Sequence, residues 1–360
     1  MDPVEGCKKF VVTTQGDECR KGAKMEMNIT RRNVLSLFGG MAALGLAACG
    51  GSGTQNSGAG STGAGDSSGK TYKIGVLQLV EHEALDAANK GFVDALDESG
   101  IAYALDQQNA QGDQSACQTI AAKLVGDGDD LILAIATPAV EACAGATESI
   151  PIIGTAVTDF AASGLVESND APGGNITGSS DLTPVVDQIK LLHTVLPDAK
   201  KVGVLWCTAE SNSDLQAAMA AEACKTYGLE ATDYTVSSSN EIQSVVESMA
   251  GKVDVIYTPT DNTIAAGMAT VTMVADDNNI PVVAGEEGEY NAGALCTYTI
   301  SYYELGKLAG QMAVRVLEDG ASPATMPIEY YPSDKLTLLY DEKKAEKYGI
   351  DKALWESVSA

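Results

Sequence analysis

Two stretches of the chain, LAIATPAVEACAG at residues 133–145 and VIYTPTDNTIAAG at residues 255–267, follow one pattern. Each begins with a short apolar run, continues through Thr-Pro and ends in small residues with helical spacing. IGVL at residues 74–77 likewise matches VGVL at residues 202–205, and SIPIIGTAVTD matches NIPVVAGEEGE. Matching positions lie 121, 128 and 130 residues apart. These similar offsets indicate one duplicated unit with loops of unequal length.

Both copies alternate short apolar strands with helices, which predicts an α/β fold of two doubly wound, Rossmann-like parallel-sheet lobes. The helix expected at residues 303–319 has no counterpart in the repeat, so we expect it to return to the first lobe. Three crossings, near residues 178–182, 297–301 and 327–332, would then form a hinge. The expected first lobe comprises residues 71–180 and 299–328, and the second residues 181–298 and 329–360.

The predicted strands are 72–79, part of 101–110, 130–136, 150–157, 200–207, 230–236, 253–259 and 280–286. The other predicted helices are 84–100, 115–125, 139–146, 215–228, 241–251 and 262–278.

Polar groups follow the predicted strands in both copies. Ligands bind beyond the carboxyl ends of the strands in open parallel sheets, at the starts of the helices. Asp, Asn, Ser and Thr there are also ordinary helix caps, so any one group has a plain structural explanation. Their recurrence at one edge of both sheets favours an interlobe cleft. The groups are residues 79–82, 136–138 and 158–159 in the first lobe, and 208–213, 260–262 and 286–287 in the second.

The charge and the cysteines exclude several classes of function. Residues 1–70 contain eight of the 23 Lys and Arg residues, whereas 43 of the 49 Asp and Glu residues follow them. The resulting net charge of the body, near −28, argues against nucleic-acid binding and against docking on an anionic membrane by charge. The five cysteines of the body form no CxxC and no Cys/His cluster, so we predict no metal site and at least one free thiol. We also expect no cofactor.

The beginning of the chain has the features of an export signal. Arg31-Arg32 precedes an apolar run of 15 residues, too short for a membrane span and typical of a signal peptide. The run ends in Leu46-Ala47-Ala48-Cys49, which resembles a bacterial lipobox, so Cys49 is the predicted lipidation site. Residues 27–48 are the expected signal peptide, residues 49–70 a lipidated cysteine with a Gly/Ser tether, and residues 1–26 a non-native leader or a mis-assigned start.

Several motifs together resemble a known family. QLVEHEALDAANKGF, NAQGD, IATPA, AVTD, NITGSSD, AESNSDLQ, TPTDNT, GALCTY and YYELGKLA cover nearly all of residues 72–331. With the duplicated lobes, lipobox and tether, they resemble the type I periplasmic binding proteins, the substrate-capture components of ABC importers. The chain is most similar to the group that includes tryptophan- and other aromatic amino-acid-binding lipoproteins.

The resemblance implies a non-catalytic protein, anchored through Cys49 to the extracytoplasmic face of the cell membrane, which delivers a small ligand to an ABC permease and its ATPase. For an amino-acid ligand, the helix start at Thr137-Pro138-Ala139 and the hydroxyl of Thr158 would bind the carboxylate. Asp261, or secondly Glu286, would bind the ammonium group. Leu79, Trp206 and Tyr302 are candidates for the ligand side chain. The full set of expected ligand-binding residues is Leu79, Glu81, Thr137, Ala139, Thr158, Asp159, Thr208, Asn212, Ser213, Thr260, Asp261, Asn262 and Glu286.

Other functions stay open at this point. A nucleoside or sugar would suit the same importer role, although the low aromatic content of 5% weighs against ring stacking on a sugar. A ligand-sensing repressor shares the lobe fold but would need a DNA-binding headpiece where this chain has a tether. An enzyme is disfavoured, because no G-x-G-x-x-G, P-loop or nucleophile elbow is present.

Overall fold

The structure is a computed structural model that describes residues 70–359. The expected leader, signal peptide and lipidation site Cys49 lie outside the described residues. Residues 70–359 belong to one compact unit with its own hydrophobic cores. Within that range, no helix combines the length and the apolar character needed to cross a bilayer.

The described chain alternates strands and helices almost throughout. In chain order, the elements are β1 (Tyr72–Gln78), α1 (Glu83–Ser99), β2 (Tyr103–Asn109), α2 (Gln114–Asp127), β3 (Leu131–Ile135), α3 (Thr137–Ala146), β4 (Ile152–Val157), β5 (Ile176–Ser180), α4 (Val185–Val195), β6 (Lys201–Cys207), α5 (Ser211–Thr226), β7 (Glu230–Val236), α6 (Ile242–Met249), β8 (Val255–Thr258), α7 (Asn262–Ala266), α8 (Met268–Asp277), β9 (Val282–Ala284), α9 (Glu287–Asn291), β10 (Cys296–Thr299), α10 (Tyr302–Leu317), β11 (Glu329–Tyr330), β12 (Thr337–Tyr340), α11 (Glu342–Lys347) and α12 (Lys352–Ser359).

Two six-stranded sheets form the two predicted lobes. The first has the order β11-β5-β4-β3-β1-β2 and is parallel throughout. The second has the order β12-β10-β9-β8-β6-β7, with only the edge strand β12 antiparallel to its neighbour. The central strands β3 and β4 are buried along their whole length because helices cover both faces of the sheet. The predicted pair of doubly wound lobes is therefore confirmed.

The chain crosses between the lobes three times, as predicted. It leaves the first sheet after β5, returns to it from β10 to α10, and leaves it again between β11 and β12. The expected boundary at residues 328 and 329 is wrong by two residues, because Glu329 and Tyr330 pair with Ser179 and Ser180 of the first sheet. The third crossing thus begins after Tyr330.

Periodicity missed several elements that position the cleft. The strands β5 and β10 and the helix α9 were not predicted because each has only four or five residues, and the helix α4 was not predicted either. The helix expected at residues 262–278 is two helices that meet at Gly267. A Cβ at Gly267 would lie 2.3 Å from Cδ1 of Ile242, so a larger residue there would displace the end of this side chain of α6.

Candidate functional site

The carboxyl ends of the two sheets face each other, and side chains of the two lobes are in hydrogen-bonding contact. Gln216 Nε2 of the second lobe donates to Thr158 Oγ1 of the first at 3.3 Å. His82 Nε2, at the start of α1, lies 3.2 Å from Asn262 Oδ1. Ser211 Oγ donates to Glu141 Oε1 at 2.8 Å at the rim. These contacts show that the two polar edges lie against each other, and the region between them is called the cleft below.

Glu210 holds together the second lobe's side of the cleft. Its side chain is 3% exposed. One carboxylate oxygen accepts from the backbone N–H of Asn262 at 3.1 Å and from its side-chain amide at 2.6 Å. The other accepts from the backbone N–H and the hydroxyl of Thr263, both at 2.8 Å. Glu210 therefore fixes the loop at residues 260–263, which has the sequence TDNT and is called the TDNT loop below. The position of Glu210 in the polar group at residues 208–213 did not reveal this role.

Asp261 is the N-cap of α7. One of its oxygens accepts from the backbone N–H of Ile264 at 2.8 Å. The other accepts from the backbone N–H of Cys207 at 2.6 Å and from the hydroxyl of Ser213 at 2.7 Å. All three donors belong to the second lobe, so the capping role of Asp261 is established by its contacts. Ser213, an expected ligand-binding residue, donates its hydroxyl to this cap.

Gln216 and Thr260 link the second lobe to the first. The side-chain oxygen of Gln216 accepts from the backbone N–H of Thr260 at 2.8 Å, and its amide donates to the hydroxyl of Thr260 at 2.6 Å. Asn212 donates to the carbonyl oxygen of Thr260 at 3.0 Å, while its own side-chain oxygen is buried without a hydrogen-bond partner in the described chain. The hydroxyls of Thr158 and Thr260 lie 3.5 Å apart.

In the first lobe, the start of α3 lies at the predicted edge. Thr137 is 1% exposed, and its hydroxyl oxygen has no hydrogen-bond partner within residues 70–359. Ala136, the residue before the helix, has φ 84°, a conformation that a non-glycine residue adopts only at a cost of about 1–3 kcal/mol. Pro138 occupies the first turn, and the N–H of Ala139 bonds to the carbonyl of Ala136. Backbone strain and an unpaired buried hydroxyl coincide at this helix start.

Asp181 is a cleft residue that the sequence did not predict. It follows β5 at the first crossing and is 4% exposed. One oxygen accepts from the hydroxyl of Tyr302 at 2.8 Å and the other from the hydroxyl of Thr158 at 3.3 Å. The rule that ligands bind beyond strand ends would have found Asp181 if β5 had been recognised in NITGSSD.

Buried carboxyl groups concentrate in this part of the molecule. Burial raises the pKa of Asp181 to about 6 and that of Glu286, the N-cap of α9, to about 7. Burial, reinforced by the negative charge of Glu210, raises the pKa of Asp261 to about 8. Burial also raises the pKa of Glu289 well above its ordinary value, with a further contribution from Glu286. No ion pair within residues 70–359 includes any of these five acids.

The structure does not bring every expected residue to the cleft. Glu81 and Thr208 are exposed. Asp159 accepts from the backbone N–H groups of Ala161 and Ala162 and caps a turn of its own loop. Leu79 lies in the first lobe's core.

Of the three candidates for contact with a ligand side chain, only Tyr302 lies at the cleft, through its bond to Asp181. Trp206 instead donates to Asp233 of β7 at 3.3 Å. All five cysteines of the described chain are buried free thiols, in agreement with the expected free thiol.

Two doubly wound lobes, three crossings and a buried polar cleft define a binding protein of the type I periplasmic fold. Residues 73–359 match the family described as ABC transporter substrate binding protein, and the chain belongs to this family. It is 42% identical over 282 residues to a tyrosine-binding protein of Clostridioides difficile, a match that covers 77% of this chain and 81% of the relative.

The chain is similar to two solved structures, one with a bound ligand and one that is ligand-free and open. An ABC domain of Streptococcus pneumoniae in complex with L-Trp matches with a TM-score of 0.77 and 36% identity, covering 80% of this chain and 98% of that one. A ligand-free, open substrate binding protein with adhesive properties from Clostridium difficile is 40% identical but has a TM-score of 0.60, covering 78% and 96%. The lower score against the more identical open structure agrees with the interlobe hydrogen bonds, which close the cleft here.

Proposed function

We propose that the protein captures a zwitterionic aromatic amino acid between its lobes and delivers it to an ABC permease and its ATPase. We further propose that it acts on the extracytoplasmic face of the membrane, anchored by lipid on Cys49. The ligand would select the closed arrangement because only there can both lobes contact it, and the permease would recognise that form.

The buried acids carry the proposal of a ligand ammonium group. A buried carboxylate without a cation pays a large desolvation cost, which a bound cation offsets. Asp181 is the best placed of these acids, because its bond to Thr158 is long at 3.3 Å and Thr158 is itself bonded to Gln216 of the second lobe. Asp261 is a weaker candidate than the sequence suggested, since both of its oxygens already accept bonds inside the second lobe.

The start of α3 supports the proposal of a ligand carboxylate. The positive end of a helix dipole favours an anion, and the unpaired hydroxyl of Thr137 would donate to one. Thr158 would complete this side if its hydroxyl, which donates to Asp181 here, donated to the ligand carboxylate instead. Asn212, whose side-chain oxygen is unpaired, and Thr260 and Asn262 are the proposed contacts from the second lobe.

The aromatic side chain of the ligand is proposed from the relatives, one named as tyrosine-binding and another solved with L-Trp. Isothermal titration of the compact unit, residues 66–360, would test both the aromatic side chain and the two charged groups of the proposed ligand. L-tyrosine, L-tryptophan and L-phenylalanine are the ligands; tyramine lacks the carboxylate, and N-acetyl-L-tyrosine lacks the ammonium charge. We expect at least one of the amino acids to bind, and both analogues to bind at least about a hundredfold more weakly. Binding of uridine or glucose without any amino acid would reject the proposal.

The lipid anchor is tested separately by replacing the proposed acylation site. In cells, Cys49→Ser should release the protein from the membrane fraction, because the thiol that accepts the lipid is absent. Cys19→Ser is the control, since residue 19 precedes the proposed start. A Cys49→Ser protein that stays membrane-bound with unchanged mass would contradict lipidation.

A further inference from the structure

A cavity of about 290 Å³ lies at the hinge, and its lining does not include Thr158, Gln216, His82 or Ser211, which make the interlobe hydrogen bonds described above. Every crossing contributes to its wall: Thr183 and Pro184 come from the first, Ile300 from the second, and Tyr331 and Leu336 from the third. Residues from both lobes complete it, with Ser180 from β5 and Met219 from α5. A rotation of one lobe against the other must therefore change its shape.

The lining of this hinge cavity is uncharged. The described chain is strongly acidic, yet no Asp, Glu, Lys, Arg or His is among the residues that line the cavity. Val186 and Tyr330 at its edge are 53% and 48% exposed, two of the three large apolar side chains in residues 70–359 that are most exposed. Exposed apolar surface gathered around a cavity is typical of a binding site.

One polar group in the wall lacks a partner. Thr183 is 1% exposed, and its hydroxyl oxygen has no hydrogen-bond partner among the residues that the structure describes. A buried hydroxyl without a partner costs free energy, which a ligand hydroxyl would recover. The hydroxyls of Tyr330 and Tyr331 are already engaged, with Asn169 and Lys335 respectively.

From this geometry we propose a second ligand site at the hinge, which takes an uncharged, mainly apolar small molecule with one hydroxyl group. A cavity of about 150 Å³ is large enough to bind benzene, so this one has room for a compact ring system. A folded protein segment would not fit. Because all three crossings line the site, its occupant binds the open and closed forms with different affinities and thereby changes the affinity of the cleft for its own ligand.

The probe is 1-adamantanol, a rigid hydrocarbon cage with one hydroxyl that resembles no amino acid. Its binding to residues 66–360 is measured by saturation-transfer NMR and calorimetry. Val186→Asp places a charge at the cavity edge near the start of α4, where an acidic residue suits the helix. Met273→Asp on α8 is the matched control, because Met273 is 55% exposed and does not line the cavity. Leu336→Asp tests the third crossing if Val186→Asp is unstable.

We expect 1-adamantanol to bind the parent and Met273→Asp chains equally and the Val186→Asp chain about tenfold more weakly or worse. Saturating amino acid should not displace it but should change its affinity. Failure to bind at millimolar concentration, equal binding to all variants, or competition with the amino acid would each overturn the hinge site. The comparison of 1-adamantanol binding among the variants is independent of the proposed function. Only the expected effect of the amino acid on the affinity for 1-adamantanol rests on that function.

Discussion

The side-chain amide of Gln216 lies 3.3 Å from the hydroxyl of Thr158, and it joins the two lobes near the hinge side of the cleft. The same amide holds the hydroxyl of Thr260 at 2.6 Å. Gln216 is fully buried, so its hydrogen bonds are made in a medium where an unpaired amide is costly. A single residue on α5 therefore couples the TDNT loop to the first lobe.

We expect Gln216→Leu to shift the ligand-free protein toward an open arrangement. The substitution removes the interlobe bond and leaves the N–H of Thr260 unpaired, at a cost of about 1–3 kcal/mol in unfolding free energy. Small-angle X-ray scattering should show a larger radius of gyration, and thermal melting a lower Tm. Gln243→Leu on the exposed face of α6, where the amide donates to Glu247, should change neither. An unchanged scattering profile for Gln216→Leu would show that this bond does not hold the lobes together.

Asp181→Asn should weaken amino-acid binding by about 2 kcal/mol or more, about thirtyfold in Kd, because the amide keeps the shape of the carboxyl group but loses its charge. The substitution should preserve folding, since the bond to Tyr302 can persist with an amide oxygen as acceptor. Calorimetric titration measures the loss.

Asp159→Asn is the control for this prediction, because Asp159 caps a turn in the first lobe and is not joined to the cleft network. Its affinity for the ligand should equal that of the parent chain. Equal affinities for Asp181→Asn and the parent would remove Asp181 from the ammonium site and return the role to Asp261 or Glu286.

Sequence reasoning succeeded where the physical signal is local. The strand from residue 230 to residue 236 was predicted with its observed bounds, and the apolar runs of β1, β3, β4 and β6 were unmistakable. The duplicated pattern then sufficed for the two sheets and for the facing polar edges. Fold and cleft follow from periodicity, because strands buried between helices must be continuously apolar.

The individual contacts in the cleft could not be predicted, because capping and ligand binding use the same residue types. Asp261 and Glu286 satisfy the rule for ligand residues, yet both accept backbone N–H bonds at helix starts. Gln216 lies one turn into α5 and resembles any surface glutamine in the sequence. Its hydrogen bond to Thr158 crosses to the other lobe, and no local pattern encodes such a contact.

The stability of the ligand-free protein should fall as pH rises from about 5 to about 8. The pKa values of Asp181, Glu286 and Asp261 are raised by burial from ordinary values of 3.8 and 4.5 to about 6, 7 and 8. The folded chain therefore holds protons that the unfolded chain has lost, and this contribution to stability disappears as pH passes through the folded values. Differential scanning calorimetry across this range measures the decline in Tm.

His82 opposes this trend, because burial lowers its pKa. Its contribution to the stability of the folded chain therefore grows as pH rises toward the ordinary value of 6.5, and it is fully present above that pH. The decline should thus be steeper in His82→Gln. A ligand ammonium group favours ionised carboxyl groups, so the increase in Tm on adding the amino acid should grow with pH. A Tm that rises steadily from pH 5 to 8 in both chains would contradict the buried-acid account.

The helix α10, which returns to the first lobe, packs closely against α1. A Cβ at Gly306 would lie 1.9 Å from the carbonyl oxygen of Ala88, which is backbone and cannot move aside as a side chain could. Gly306→Ala should therefore force the helices apart and lower the free energy of unfolding by about 1–3 kcal/mol. Gly126→Ala in α2 is the matched control, because nothing lies within 4 Å of a Cβ there and alanine favours the helix by up to about 1 kcal/mol. Denaturant unfolding of both variants measures the difference, and a Gly306→Ala chain at least as stable as the parent would show that α1 and α10 tolerate a wider spacing than the structure indicates.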